Sequence, residues 1–162
     1  MTKAVFAGTF DPPTYGHLDI IQRASSLFDS VDILIAVNEN KKTLFSQSER
    51  EEMLKDLVKD IKNVQVHCWN GLVVDYASKT GAKVLIRGIR NSIDFAYEFD
   101  LSLMNRKLKS SIETLFIPTN QKYLLLKSST IKELAHFGGD ISEMVPPLIE
   151  KAIKDKLESQ KL

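Results

Sequence analysis

The chain has one cysteine, Cys68, among 162 residues. A single thiol cannot form an intrachain disulfide, so the fold must rest on its core. A reducing, cytoplasmic setting is the expectation. Neither sign of charge is in excess: 22 Lys and Arg stand against 21 Asp and Glu, a net charge of +1. That balance argues against a bulk nucleic-acid or membrane-surface partner. No apolar run approaches the roughly 20 residues that a membrane helix needs. Met1-Thr2-Lys3 leads straight into a strand-like segment, without the apolar stretch and cleavage site of a signal peptide. Repeats, low-complexity tracts and linkers are absent as well, so residues 1–162 read as one domain. The first strand–helix turn carries neither GxGxxG nor a Walker loop, which disfavours a dinucleotide-dependent oxidoreductase.

Present instead are short apolar runs that alternate with amphipathic stretches. Ala4–Phe10, Val31–Val37, Val64–Trp69, Lys83–Ile86 and Thr114–Ile117 read as strands. His17–Phe28 has Leu18, Ile21, Ala24, Leu27 and Phe28 at helical spacing. Ser46-Gln47-Ser48-Glu49 is a capping box that opens a helix to about Asp60. Leu72–Lys79 reads as a short helix that Gly81 stops. Asn91 is placed to cap a long helix to about Leu108, with Ile93, Phe95, Ala96, Phe99 and Leu103 as candidate core residues. Ser128–Thr130 are expected to cap a helix that ends at Gly138-Gly139, and a last helix starts near Pro146-Pro147. Near-continuous apolar strands in strict alternation with helices predict an α/β fold. It is a Rossmann-like, doubly wound sheet of about five parallel strands with helices on both faces. In such folds ligands bind beyond the C-terminal strand ends.

Those ends carry the informative residues. The first strand runs into Gly8-Thr9-Phe10-Asp11-Pro12-Pro13-Thr14-Tyr15-Gly16-His17. A glycine, a hydroxyl and a histidine thus surround a helix N-terminus, where free N–H groups and the helix dipole favour phosphate. Gly16 would let a ligand approach the backbone. His17 can donate a hydrogen bond to a phosphate oxygen. The second strand ends in Asn38-Glu39-Asn40-Lys41-Lys42, where Lys41 is placed to meet an anionic substrate. The fourth ends in Arg87-Gly88-Ile89-Arg90, a compact cationic clamp of the kind that matches phosphate oxygens bidentately. Asp94, Tyr97 and Glu98 follow on the next helix and, by themselves, read as an exposed face. The fifth strand leads through Asn120 to Lys127-Ser128-Ser129-Thr130, whose serines offer further phosphate donors. Together, Thr9, His17, Lys41, Arg87, Arg90, Ser128 and Ser129 predict a polyphosphate site on an otherwise neutral protein. No run of His, Cys and carboxylates suggests a metal cage. Cys68 has no evident partner base and is assigned no catalytic role.

Gly8-Thr9-Phe10-Asp11-Pro12 with Thr14-Tyr15-Gly16-His17 resembles the T/H-x-G-H signature of the nucleotidyltransferase α/β superfamily. Arg87-Gly88-Ile89-Arg90, Asp94-Phe95, Tyr97-Glu98, Asn105-Arg106, Ser128-Ser129 and Gly139-Asp140 resemble the bacterial phosphopantetheine adenylyltransferase family. The likeness runs from about Lys3 to Leu157. It implies adenylyl transfer from ATP to 4′-phosphopantetheine with Mg²⁺, giving dephospho-coenzyme A and pyrophosphate. By the same resemblance, His17, Thr9, Lys41 and Arg90 are the catalytic group. Thr9, Lys41, Leu72, Val73, Arg87 and Asn105 would bind phosphopantetheine. Gly8, Thr9, Phe10, His17, Gly88, Arg90, Glu98, Tyr123, Ser128 and Ser129 would bind ATP. The ion is expected to arrive with ATP. A homohexamer and feedback inhibition by coenzyme A are implied too. Lys127, Thr130 and His136 depart from the family's usual residues on the ATP side. An adenylyl- or cytidylyltransferase for another phosphorylated acceptor, such as nicotinate mononucleotide, and a silent nucleotide-binding module are the competing readings.

Overall fold

The computed structural model describes residues 1–37 and 42–159. Five strands form one all-parallel sheet in the order β3-β2-β1-β4-β5. They are β1 Lys3–Gly8, β2 Ser30–Ala36, β3 Val64–Trp69, β4 Val84–Ile89 and β5 Glu113–Pro118. The helices are α1 Tyr15–Leu27, α2 Gln47–Val58, α3 Val73–Thr80, α4 Ser92–Leu108, α5 Ser128–His136 and α6 Pro147–Ser159. A short 3-10 turn spans Gln121–Tyr123. None of the described helices is long and apolar enough to cross a membrane.

Successive strand residues point to opposite faces, and both faces are covered. Ala4 and Phe6 of β1 join Ile33 and Ile35 of β2 against Ile20, Ile21 and Leu54 of α1 and α2. Val5, Ala7 and Leu34 turn the other way, onto Val74 and Ala77 of α3. A third cluster ties Phe45 and Met53 to Ile131 of α5 and to Ile149 and Ile153 of α6. The buried Asp32 interrupts the apolar run of β2. It is held by the Tyr76 hydroxyl at 2.8 Å and by Lys3 Nζ at 2.7 Å. Burial, and then the Asp32 hydrogen bond, push the Tyr76 phenol well above its ordinary pKa.

Local signals set most boundaries. Ser46 and Glu49 form the expected reciprocal box at the start of α2. Gly81 takes the left-handed conformation, φ 74°, that closes α3. Asn91 caps α4 by accepting the Asp94 N–H.

Two expectations need correction. The α5 N-cap is Lys127, with no side-chain cap bond, and Ser128 lies inside the first turn, where its hydroxyl donates to the Pro12 carbonyl at 2.9 Å. The α4 residues proposed for the core are not in it: Ile93, Phe95, Ala96, Phe99 and Leu103 are all exposed, and α4 has no buried residue. Phe95 does pack edge-on against Phe116 of β5. The helix therefore lies on the sheet but leaves apolar side chains outward.

Candidate active site

The sheet order changes direction beside β1: β2 lies on one flank and β4 on the other. A crevice must open at the C-terminal ends of this strand pair. A cavity of about 570 Å³ occupies it. Its walls come from the end of β1, the loop into α1, Lys42 and Thr43, the end of β4, Glu98 of α4, and the N-terminus of α5.

His17 is the third residue of α1 and lines this cavity. Its Nδ1 accepts the Thr14 backbone N–H at 3.0 Å, while the His17 N–H reaches back to Thr14 Oγ1 at 3.4 Å. The imidazole thus takes the part that Glu or Gln plays in a capping box. Burial, followed by the charge of Arg90, pushes its pKa down to about 4. At neutral pH the ring is uncharged. With Nδ1 accepting, its proton sits on Nε2.

The loop before α1 is held in an unusual shape. Phe10 is buried with φ 50°, a left-handed conformation that a bulky side chain rarely adopts. Its ring packs edge-on against the His17 ring at 5.0 Å and against Phe6 at 5.5 Å. A Cβ on Gly8 would come within 3.1 Å of that ring, so a larger residue there would displace Phe10. The buried carboxylate of Asp11 anchors the loop from the other side. It accepts the Leu44 and Phe45 N–H groups, each at 2.9 Å, and pairs with Lys132 at 2.6 Å. Arg50 of α2 donates to the Thr9 carbonyl at 2.7 Å.

Five cations from the described residues line the cavity: Lys42, Arg87, Arg90, Lys127 and Lys132. Three are committed to carboxylates. Arg87 grips Glu98 through Nε at 2.6 Å and Nη2 at 2.5 Å, and also donates to the Ala7 carbonyl. Arg90 forks onto Asp94 and reaches the Leu126 carbonyl. Burial works against the charged form of Asp94, but the Arg90 hydrogen bond and charge outweigh it and hold the carboxyl below its ordinary pKa. Lys132 is paired with Asp11. Lys42 and Lys127 make no ion pair with a described carboxylate, though the charge of Lys127 also acts on Asp94.

A second cavity of about 180 Å³ adjoins the first. Ala7, Arg87 and Glu98 line both, so the Arg87–Glu98 pair stands at their junction. Leu72, Val73 and Asn105 line the smaller one, together with Leu101 and Ser102 of α4.

The predicted residues thus divide between two cavities that share part of their lining. Gly8, Thr9, Phe10, His17, Gly88, Arg90, Tyr123, Ser128 and Ser129 meet in the larger. Leu72, Val73 and Asn105 meet in the smaller, and Arg87 and Glu98 belong to both. Lys41 lies outside the described residues. Glu98, read alone as part of an exposed face, turns inward to Arg87 and is only 14% exposed. Asp11, Lys42, Arg50 and Lys132 were not selected by sequence reasoning. Lys132 follows Ser128 by one helical turn, a spacing that signals a shared face. Arg50 sits in the charged run Ser48-Glu49-Arg50-Glu51-Glu52, where nothing distinguishes it from a solvated residue. Burial first, and then a hydrogen bond to Glu51, raise the pKa of Cys68 and keep the thiol protonated. Among the described residues no three His, Cys, Asp or Glu side chains gather as a metal cage.

The parallel sheet and the cationic crevice at its C-terminal strand ends suit an α/β nucleotide-binding protein. The model of the cytidylyltransferase-like family matches residues 5–134. A phosphopantetheine adenylyltransferase of Caldanaerobacter subterraneus subsp. tengcongensis is 46% identical over 98% of this chain and 99% of its own. The enzymes of that name from Staphylococcus haemolyticus and Desulfosudis oleivorans are 46% and 48% identical, each over 97% of this chain, with 98% and 94% of their own length covered. The chain belongs to the phosphopantetheine adenylyltransferase family, within the cytidylyltransferase-like nucleotidyltransferases. In fold it is similar to a solved Vibrio parahaemolyticus protein assigned provisionally as a nicotinate-nucleotide adenylyltransferase. The TM-score is 0.70 at 20% identity, over 99% of this chain and 94% of that one. That likeness bears on the fold alone.

Proposed function

We propose that this protein transfers the adenylyl group of ATP to 4′-phosphopantetheine, releasing pyrophosphate and forming dephospho-coenzyme A. The observation that carries the reading is His17, its Nδ1 held by the Thr14 N–H, in a cavity that also holds Arg87 and Arg90 and shares Arg87 and Glu98 with a smaller cavity. Near-full-length identity of 46–48% to enzymes of that name supports the choice of acceptor.

A phosphate monoester has a second pKa of about 6 and is largely a dianion at neutral pH. Its oxygen can attack the α-phosphorus of ATP without a general base. The new bond joins that oxygen to the α-phosphorus, the α–β bridge breaks, and the electron pair leaves with pyrophosphate. The protein must hold two repelling anions in line and stabilise charge on the α-phosphoryl oxygens. The His17 Nε2–H, Thr9 and the α1 N-terminus serve the second need. Arg87, at the junction of the cavities, and Lys41 serve the first. Leu72, Val73 and Asn105 line the way for the pantetheine arm. Gly8, Phe10, Gly88, Arg90, Glu98, Tyr123, Ser128 and Ser129 serve ATP. Mg²⁺ would come bound to the ATP phosphates and would offset part of the triphosphate charge there.

We also propose a cytoplasmic homohexamer inhibited by coenzyme A. The outward apolar face of α4 supports assembly: Ile93 is 80% and Tyr97 68% exposed. Coenzyme A contains the pantetheine arm of the substrate and would compete for the same cavities.

The test is product analysis by mass spectrometry after mixing the protein with ATP, Mg²⁺ and 4′-phosphopantetheine. Dephospho-coenzyme A and pyrophosphate are expected. No product, or product only when nicotinate mononucleotide replaces the acceptor, overturns the reading.

A further inference from the structure

We infer that Arg50 is a positioning residue for adenylyl transfer, acting through the Thr9–Phe10 peptide; the inference rests on the proposed function. Arg50 is on α2, outside the cavity, and only 5% exposed. Its Nη1 donates to the Thr9 carbonyl at 2.7 Å, and its Nε donates to the Ser46 carbonyl at 3.3 Å. The second bond ties the guanidinium to the N-cap of its own helix, so its direction is fixed. The first reaches 41 residues back along the chain, to the loop that faces the cavity.

The Thr9 carbonyl and the Phe10 N–H belong to one peptide unit. In a trans peptide these groups point in opposite directions. Arg50 takes the carbonyl and does not itself line the cavity, so the Phe10 N–H points away from Arg50 and, on this inference, faces the cavity that Thr9 and Phe10 line. Among the described residues no backbone carbonyl accepts that N–H. A cationic donor on the carbonyl also polarises the unit and makes its N–H a stronger donor. The Phe10 backbone lies at φ 50°, which a bulky residue leaves readily unless its surroundings hold it. Packing of the ring fixes the side chain, and Arg50 fixes the peptide plane. The buried guanidinium supplies a positive charge directly behind the donor. A donor preset for charge that develops on a transferring phosphoryl group acts on the chemical step more than on substrate binding.

Arg50→Met and Arg50→Lys separate this role from simple structural support. In steady-state kinetics with each substrate varied, Arg50→Met should lose about 30-fold in kcat, somewhat less than the loss of a direct transition-state donor, with each KM within about threefold. Arg50→Lys keeps a charged donor and should recover most of that loss. Circular dichroism and thermal unfolding establish that each variant is folded at the assay temperature. A folded Arg50→Met with wild-type kcat, a defect confined to KM, or a folded Arg50→Lys as slow as Arg50→Met overturns the inference. Should Arg50→Met fail to fold, Arg50→Gln takes its place. It keeps a neutral donor without the charge, so a kcat about tenfold down supports the inference and a wild-type kcat overturns it. An inactive wild-type protein in the same assay would refute adenylyl transfer itself, whereas an active wild type with an equally active Arg50→Met refutes only the part given to Arg50.

Discussion

The Nδ1 of His17 accepts the backbone N–H of Thr14 at 3.0 Å, and so the residue that caps the first helix also fixes the tautomer of the ring that faces the cavity. Helix capping and phosphate donation are one arrangement. His17→Ala should lower kcat by at least ~100-fold, the scale for losing one transition-state donor. Steady-state kinetics with ATP and phosphopantetheine varied in turn checks it, and near-normal turnover would remove the role.

The depressed pKa of the same ring has a signature in stability. In the unfolded chain the imidazole takes its proton near 6.5, but in the folded protein only at about 4. Between those values the unfolded chain binds more protons, so His17 lowers stability as pH falls through that window, and its contribution is fully favourable above it. Urea unfolding across this range should show a steeper acid loss in the wild type than in His17→Gln.

Removing Arg87 would leave Glu98 as a largely buried carboxylate without its guanidinium. Arg87→Met should destabilise the protein by about 2 kcal/mol, and Arg87→Met combined with Glu98→Leu by less, because no orphaned charge remains. Urea unfolding of the two variants gives the comparison.

Asp11 satisfies two backbone N–H groups and Lys132 from a buried position. Asp11→Ala should cost about 3 kcal/mol. Its thermal midpoint should fall, and kcat with it, since the loop that carries Thr9 and Phe10 loses its anchor.

On α4, Phe99→Glu or Leu103→Lys should leave the monomer folded, because neither side chain is buried. If this face joins subunits, both changes should reduce the mass found by light scattering in solution. An unchanged mass would place the interface elsewhere.

How far the sequence disclosed all this depends on the kind of signal. Strands such as Val64–Trp69 and caps such as Ser46 and Asn91 are set by local chemistry, and they appear where the residues suggest. The parallel sheet follows from alternation, and the placement of His17 and Arg90 follows from the sheet. Hydrophobic pattern fails at α4, because Phe99 and Leu103 report only that a helix has an apolar side. They do not say whether the chain's own core or another surface covers it. Glu98 and Arg87 are 11 residues apart, and no local rule pairs them. Arg50 is hidden for the opposite reason: its neighbours are charged, and only the long-range contact with Thr9 distinguishes it.

The central position of β1 bears on how the protein is made. β1 can pair with β2 as soon as Ala36 has left the ribosome, but its other flank waits for β4, which begins at Val84. The last cation of the cavity, Lys132 of 162 residues, comes later still. Until then a nascent chain has no complete receptacle for a nucleotide. ATP, abundant wherever translation runs, cannot assist the early stages of folding and can reward only the finished sheet.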